Sequence, residues 1–131
     1  MSDVRLSAGV RGRADARVDA ARTAAAMGSG TLCVLATPAM IALMEAAAAN
    51  SVAPLLEAGA TTVGTKLGIS HIAATPLGAA VWCESELTAV DGRRLVFRVT
   101  AHDAAGVIGE GTHERFIVDA DRFMNKANSR K

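Results

Sequence analysis

From Pro38 to about Ala53 the residues are mostly Ala, Met, Ile and Leu, interrupted by a single carboxylate, Glu45. Most of these are good helix formers. Thr37-Pro38 signals the start, because threonine is a preferred N-cap and proline is favoured at the first helical position. Asn50, Ser51 and Pro54 mark the weakening and end of the helix. A helix that is apolar nearly all round is buried on most sides. A sheet wrapped around it is the arrangement this implies.

The pattern after Gly59 supplies such a sheet. Thr61 to Ala74 is rich in Thr, Val and Ile, and Pro76 and Gly78 end it. Ala79 to Val90 and Arg93 to His102 flank Asp91-Gly92, a pair that favours a type I′ hairpin turn. Gly106 ends a second turn, and Val107 to Ala120 reads as a last strand. Before the helix, alternation from Ala14 to Thr23 predicts a first strand. Residues 1–12 read as frayed, Thr31 to Ala36 as a buried turn or strand, and 121–131 as a short polar helix or tail. The order is one strand, one long helix, then about four mainly antiparallel strands. This is α+β, and a curved antiparallel sheet around one central helix is the hotdog arrangement. At 131 residues, the whole chain 1–131 is expected to be a single domain.

Half the residues are apolar, yet only 3% are aromatic and tyrosine is absent, so Ala and Val carry the core. Small side chains favour close approach between a helix and a sheet, or between two subunits. A homodimer is expected, because a chain this small gains from shared burial. The net charge of +1 argues against a nucleic-acid partner. Arg11, Arg13, Arg17 and Arg22 near one end, and Arg122, Lys126, Arg130 and Lys131 near the other, read as solvated faces. Cys33 and Cys83 lie far apart without metal spacing, which predicts two buried thiols in a reducing cytosol and no metal site. The polar, Arg-rich start lacks the apolar core of a signal peptide. Glu45 interrupts the longest apolar run, so no membrane span is expected. The expected location is the cytoplasm.

Three side chains stand out chemically. Thr37 sits at a helix start, where free N–H groups favour a developing negative charge. Its role as a cap is also a complete explanation. Glu45 lies eight residues on, slightly more than two turns, and so roughly shares a face with Thr37 and Ile41. A lone carboxylate among alanines is either paired or desolvated, and such groups mark candidate sites. His71 lies in a strand-like stretch, where a histidine is more often structural. His102 and His113 compete with it, and the charged neighbours of His113 suggest an exposed or site-facing strand. No nucleophile elbow, phosphate loop, HExxH or dinucleotide fingerprint is present. The glycines of Gly106-Val107-Ile108-Gly109-Glu110-Gly111 read as serving a turn and close strand packing.

Several segments together resemble the fluoroacetyl-CoA thioesterase family. They are Ala36 to Glu45, Val63-Gly64-Thr65, His71 to Pro76, Val90 to Leu95, and Gly109 to Arg115. The similarity runs from about Thr31 to Lys126. It implies a hotdog homodimer that hydrolyses a short acyl-CoA thioester without metal or redox cofactor. It also implies that Thr37, Glu45 and His71 are catalytic and that the Gly64 N–H helps bind the thioester oxygen. Arg115 would stand near the substrate entrance. In this reading Glu45 attacks the carbonyl or activates water, Thr37 orients that carboxylate, and His71 moves protons.

The family's fluoroacetate-selective member carries a phenylalanine lid before the threonine. Thr23 to Ala36 contains no aromatic residue here. A broader or different small acyl group is therefore expected. A non-catalytic acyl-CoA or CoA-binding hotdog module is the alternative, and a hydratase or dehydratase acting on an acyl thioester is a third reading.

Overall fold

The computed structural model describes residues 6–131, and the expected fraying of residues 1–5 lies outside them. Strand β1 (Arg11–Arg17) comes first. A short helix α1 (Ala24–Met27) precedes the long helix α2 (Thr37–Val52). Strands β2 (Ala60–His71), β3 (Ala80–Asp91), β4 (Arg94–Asp103) and β5 (Gly106–Asp119) follow, and helix α3 (Ala120–Asn128) ends the chain. The five strands form one antiparallel sheet in the order β1-β3-β4-β5-β2. The expected α+β hotdog architecture is present.

Alternation explains the packing. On β3, Val81, Cys83, Ser85 and Leu87 point inward and are buried. On β4 the inward residues are Leu95, Phe97, Val99 and Ala101. They meet Met40, Met44, Ala47, Ala48 and Val52 of α2, which lie on one face of that helix. Burying a side chain such as Phe97 or Leu87 contributes roughly 1.5–3 kcal/mol. Gly12 lets the helix approach β1, because a Cβ there would overlap the Ala47 carbonyl oxygen.

Several expectations need correction. The first strand starts at Arg11, and residues 6–10 are tied down rather than frayed. Gly9 N–H donates to Leu87 O, Leu87 N–H donates to Val10 O, and Leu6 and Val10 pack on the core. The sheet covers only one face of α2. Pro38 and Ala42 are exposed and Ile41, Ala46 and Ala49 half-buried, so an apolar flank remains open. With the following 3-10 turn, Thr37–Leu55 reaches 19 residues and is long and apolar enough for a membrane span; Glu45 does not prevent this. In this fold the segment is the helix on which the sheet packs. The β3–β4 turn is Gly92-Arg93, closed by the Asp91–Arg94 pair. Only Gly92 has positive φ, so the turn follows the type II′ pattern rather than I′. Cys83 is buried, with its thiol pushed up to about 12 chiefly by desolvation, but Cys33 is exposed.

Candidate active site

Thr37 does not cap its helix. The N-cap is Ala36, which makes no side-chain cap bond, and Thr37 is the first helical residue. Its hydroxyl instead lies 2.7 Å from Nδ1 of His71. Backbone bonds fix both partners. Ala36 N–H donates to Arg22 O and Leu35 N–H to Thr75 O, holding the chain just before α2. His71 ends β2 opposite Gly109, and the next two N–H groups, Ile72 and Ala73, both donate to Ile108 O.

Gly109 sets the closeness of this pair. A Cβ there would stand 2.6 Å from the Met40 sulfur. The missing side chain lets Met40, one turn after Thr37, rest on β5 beside His71. The expectation that this glycine serves close packing is met between helix and sheet as well as between strands. Burial lowers the His71 pKa from its ordinary value. Its Nε2 is buried and has no partner among the described residues.

Glu45 belongs to a second cluster. The eight residues separating it from Thr37 correspond to about 12 Å along the helix axis. One carboxylate oxygen lies 3.5 Å from Nη1 of Arg115. Gly64 makes room for that carboxylate, since a Cβ there would stand 2.5 Å from Oε2. Arg115 also donates through Nε to the Thr62 hydroxyl at 2.8 Å and through Nη2 to the Thr62 carbonyl at 2.9 Å. Arg115 is 7% exposed and is held by these bonds at Nε, Nη1 and Nη2. His113 is fully buried rather than on an exposed strand.

Within one chain the structure thus makes two pairs, Thr37 with His71 and Glu45 with Arg115, and Thr37 does not orient the Glu45 carboxylate. Gly64 stands beside Glu45. Thr62 has no sequence signal of its role. His113 and Arg115 had one, because residues two apart on a strand share a face. Among the described residues no group of His, Cys, Asp and Glu side chains is arranged to hold a metal. The aromatic residues lie in β3 (Trp82), β4 (Phe97), β5 (Phe116) and α3 (Phe123). None stands in the segment before Thr37.

A buried-face helix crossed by one curved antiparallel sheet defines the class as a hotdog protein. The family model for fluoroacetyl-CoA-specific thioesterase matches residues 18–121. A fluoroacetyl-CoA thioesterase of Streptantibioticus cattleyicolor is 44% identical over 97 residues, which cover 74% of this chain and 70% of that protein. A solved structure of the fluoroacetyl-CoA thioesterase FlK superposes with a TM-score of 0.92 at 36% identity, covering 98% of this chain and 99% of that one. The thioesterase superfamily member TTHA0967 of Thermus thermophilus superposes at 0.85, with 25% identity and 95% of each chain covered. The chain belongs to the fluoroacetyl-CoA-specific thioesterase family and is a thioester hydrolase.

Proposed function

We propose that this hydrolase cleaves a short-chain acyl-CoA to the free acid and CoA, with Thr37, His71 and Glu45 as its centre and a homodimer as its working form. The observation that carries the reading is the 2.7 Å contact between the Thr37 hydroxyl and the His71 imidazole. An imidazole kept neutral by burial can take the hydroxyl proton as Thr37 Oγ1 attacks the thioester carbonyl. The proton then passes to the departing CoA sulfur, leaving an acyl ester on Thr37. Water hydrolyses that ester, His71 again moving the proton, and the carboxylic acid leaves. The free N–H groups at the start of α2 favour the anionic intermediate, and the Gly64 N–H, beside Glu45, is the proposed donor to the thioester oxygen in a site shared between two subunits.

Solved FlK structures include one with acetyl-CoA and one with fluoroacetate and CoA, which supports a CoA thioester as substrate. The absence of aromatic residues before Thr37 supports a small acyl group other than fluoroacetyl as the preferred one. The dimer reading rests on the open apolar flank of α2 and on β2, which is hydrogen-bonded in the sheet only to β5. A two-fold partner would place a second Glu45–Arg115 pair against the first Thr37–His71 pair. The cytoplasm, which holds a CoA thioester pool, is the proposed location.

The test is free thiol release from a panel of short acyl-CoAs, with rapid quenching and mass measurement of the Thr37 peptide. An acyl adduct on Thr37 is the expected result. Turnover with an adduct on Glu45 would overturn the assignment of the nucleophile. CoA binding without thiol release from any panel member would instead favour a binding module.

A further inference from the structure

We infer that His113 is a positioning residue: a neutral imidazole, locked with its proton on Nδ1, that aims the Arg115 guanidinium at Glu45 without neutralising it. The inference rests on the proposed membership of Glu45 in the catalytic centre.

The hydrogen bonds fix the tautomer. His113 Nδ1 lies 2.9 Å from the Lys66 carbonyl oxygen, which can only accept. Nδ1 must therefore carry the proton. Nε2 is then an unprotonated acceptor, and Arg115 Nη1 donates to it at 3.2 Å. Were the proton on Nε2, two N–H groups would face each other at that distance and the carbonyl would lose its donor.

The ring is closely packed. His113 is 0% exposed. The Phe97 ring stacks on it with centroids 6.2 Å apart, and a Cβ on Gly64 would stand 3.2 Å from its Cε1. The Lys66 carbonyl reaches the ring where β2 shifts register between Gly64 and Lys66, so the irregularity has a local purpose.

The arrangement explains why the acceptor is an imidazole. Thr62 engages Nε and Nη2 of Arg115, leaving Nη1 shared between His113 and Glu45. A carboxylate at position 113 would pair with the guanidinium and compete with Glu45. A neutral acceptor fixes the direction of Nη1 and leaves the positive charge for Glu45.

The experiment has two arms on the full-length protein. Long-range proton–nitrogen correlation spectra of the histidines at pH 7.5 read the tautomer without using activity. We expect His113 to show a protonated Nδ1 and a bare Nε2; a protonated Nε2 overturns the inference even if the enzyme is active. The kinetic arm compares His113→Gln, which keeps one donor and one acceptor, with His113→Phe, which keeps neither. We expect His113→Phe to lower kcat at least tenfold with KM changed less than threefold, and His113→Gln to recover at least part of it. In an Arg115→Lys background His113→Phe should change kcat less than twofold. An equal loss in both backgrounds overturns action through Arg115. A wild-type protein that releases no thiol, yet shows the expected tautomer, defeats the proposed reaction and not the positioning role.

Discussion

The Thr37 hydroxyl lies 2.7 Å from Nδ1 of His71, although 34 residues separate them in the chain. A threonine at a helix start has an easy local use as a cap, and here the fold gives that position to Ala36 instead. The hydroxyl is left free for the imidazole. Removing it should slow the chemical step sharply: Thr37→Ala is expected to lose at least about 100-fold in kcat, the lower end of what a positioned proton-transfer partner contributes. Thr37→Ser keeps the oxygen and should retain measurable turnover. Both are read by thiol release from the best acyl-CoA of a panel.

Burial lowers the His71 pKa from its ordinary value of 6.5. The neutral, proton-accepting form therefore predominates at pH 7, and activity should hold down to the ordinary value and fall only as pH drops through the lower one. His113 shifts the same way, chiefly by burial, against the bond to the Lys66 carbonyl. A histidine with a depressed folded-state pKa binds fewer protons folded than unfolded. Its contribution to stability is thus full above about 6.5 and is lost as pH falls through the folded value. Melting temperature across pH 8 to 5 should decline below neutrality. A flat melting profile, or activity that rises on acidification, would contradict these assignments.

Much of this was legible in the chain because the signals were local. The apolar run gave α2 nearly to its ends, and β-branched runs gave β3 to β5 within a residue and β2 to within three at its end. Less legible was whatever depends on distant partners. The start of β1 at Arg11 is set by pairing with Glu86 of β3, not by its own alternation. Arg115 looks like a surface charge until Thr62, fifty-three positions away, is folded against it. Half the surface of α2 reads as core, and the single chain leaves it open, because apolar character records that a face is covered but not by what.

Gly64→Ala is a test of the second cluster. The added Cβ would meet the Glu45 carboxylate oxygen at 2.5 Å, a contact that forces the side chain to move. Glu45 is the far end of a flexible side chain, so the fold should survive with a small loss of stability. A fall in kcat without a matching fall in melting temperature is expected, and unchanged kcat would show that the carboxylate position is unimportant.

Gly109→Ala has a different signature. Its Cβ would meet the Met40 sulfur at 2.6 Å and the Ser70 carbonyl oxygen at 2.9 Å, so both helix and strand must give. Overpacking of this kind costs about 1–3 kcal/mol. It should also lift the first turn of α2 and stretch the Thr37–His71 contact. Chemical denaturation should show the stability loss, and turnover should fall with it. Gly109→Ala combined with Met40→Ala is expected to recover part of the kcat lost by the single glycine substitution. Recovery of stability without kcat would mean that Gly109 does not set the reacting pair.

The separation of the two clusters makes the strongest prediction about assembly. Thr37 and Glu45 stand about 12 Å apart along one helix, so a shared substrate is best reached from Thr37 of one subunit and Glu45 of another. Light scattering at micromolar concentration should give twice the 13.4 kDa chain mass, and a monomer there would defeat the shared site. In a dimer, the arrangement can be tested by mixing two inactive variants. A Thr37→Ala chain still has Glu45, and a Glu45→Ala chain still has Thr37. After unfolding and co-refolding in equal amounts, about half the dimers are mixed by two-fold statistics. Each mixed dimer then holds one site with both residues intact and one site with neither. Activity should return to about a quarter of the wild-type value, since half the dimers carry one of two sites. If both residues acted within one chain, every site in the mixture would lack one of them, and no activity would return.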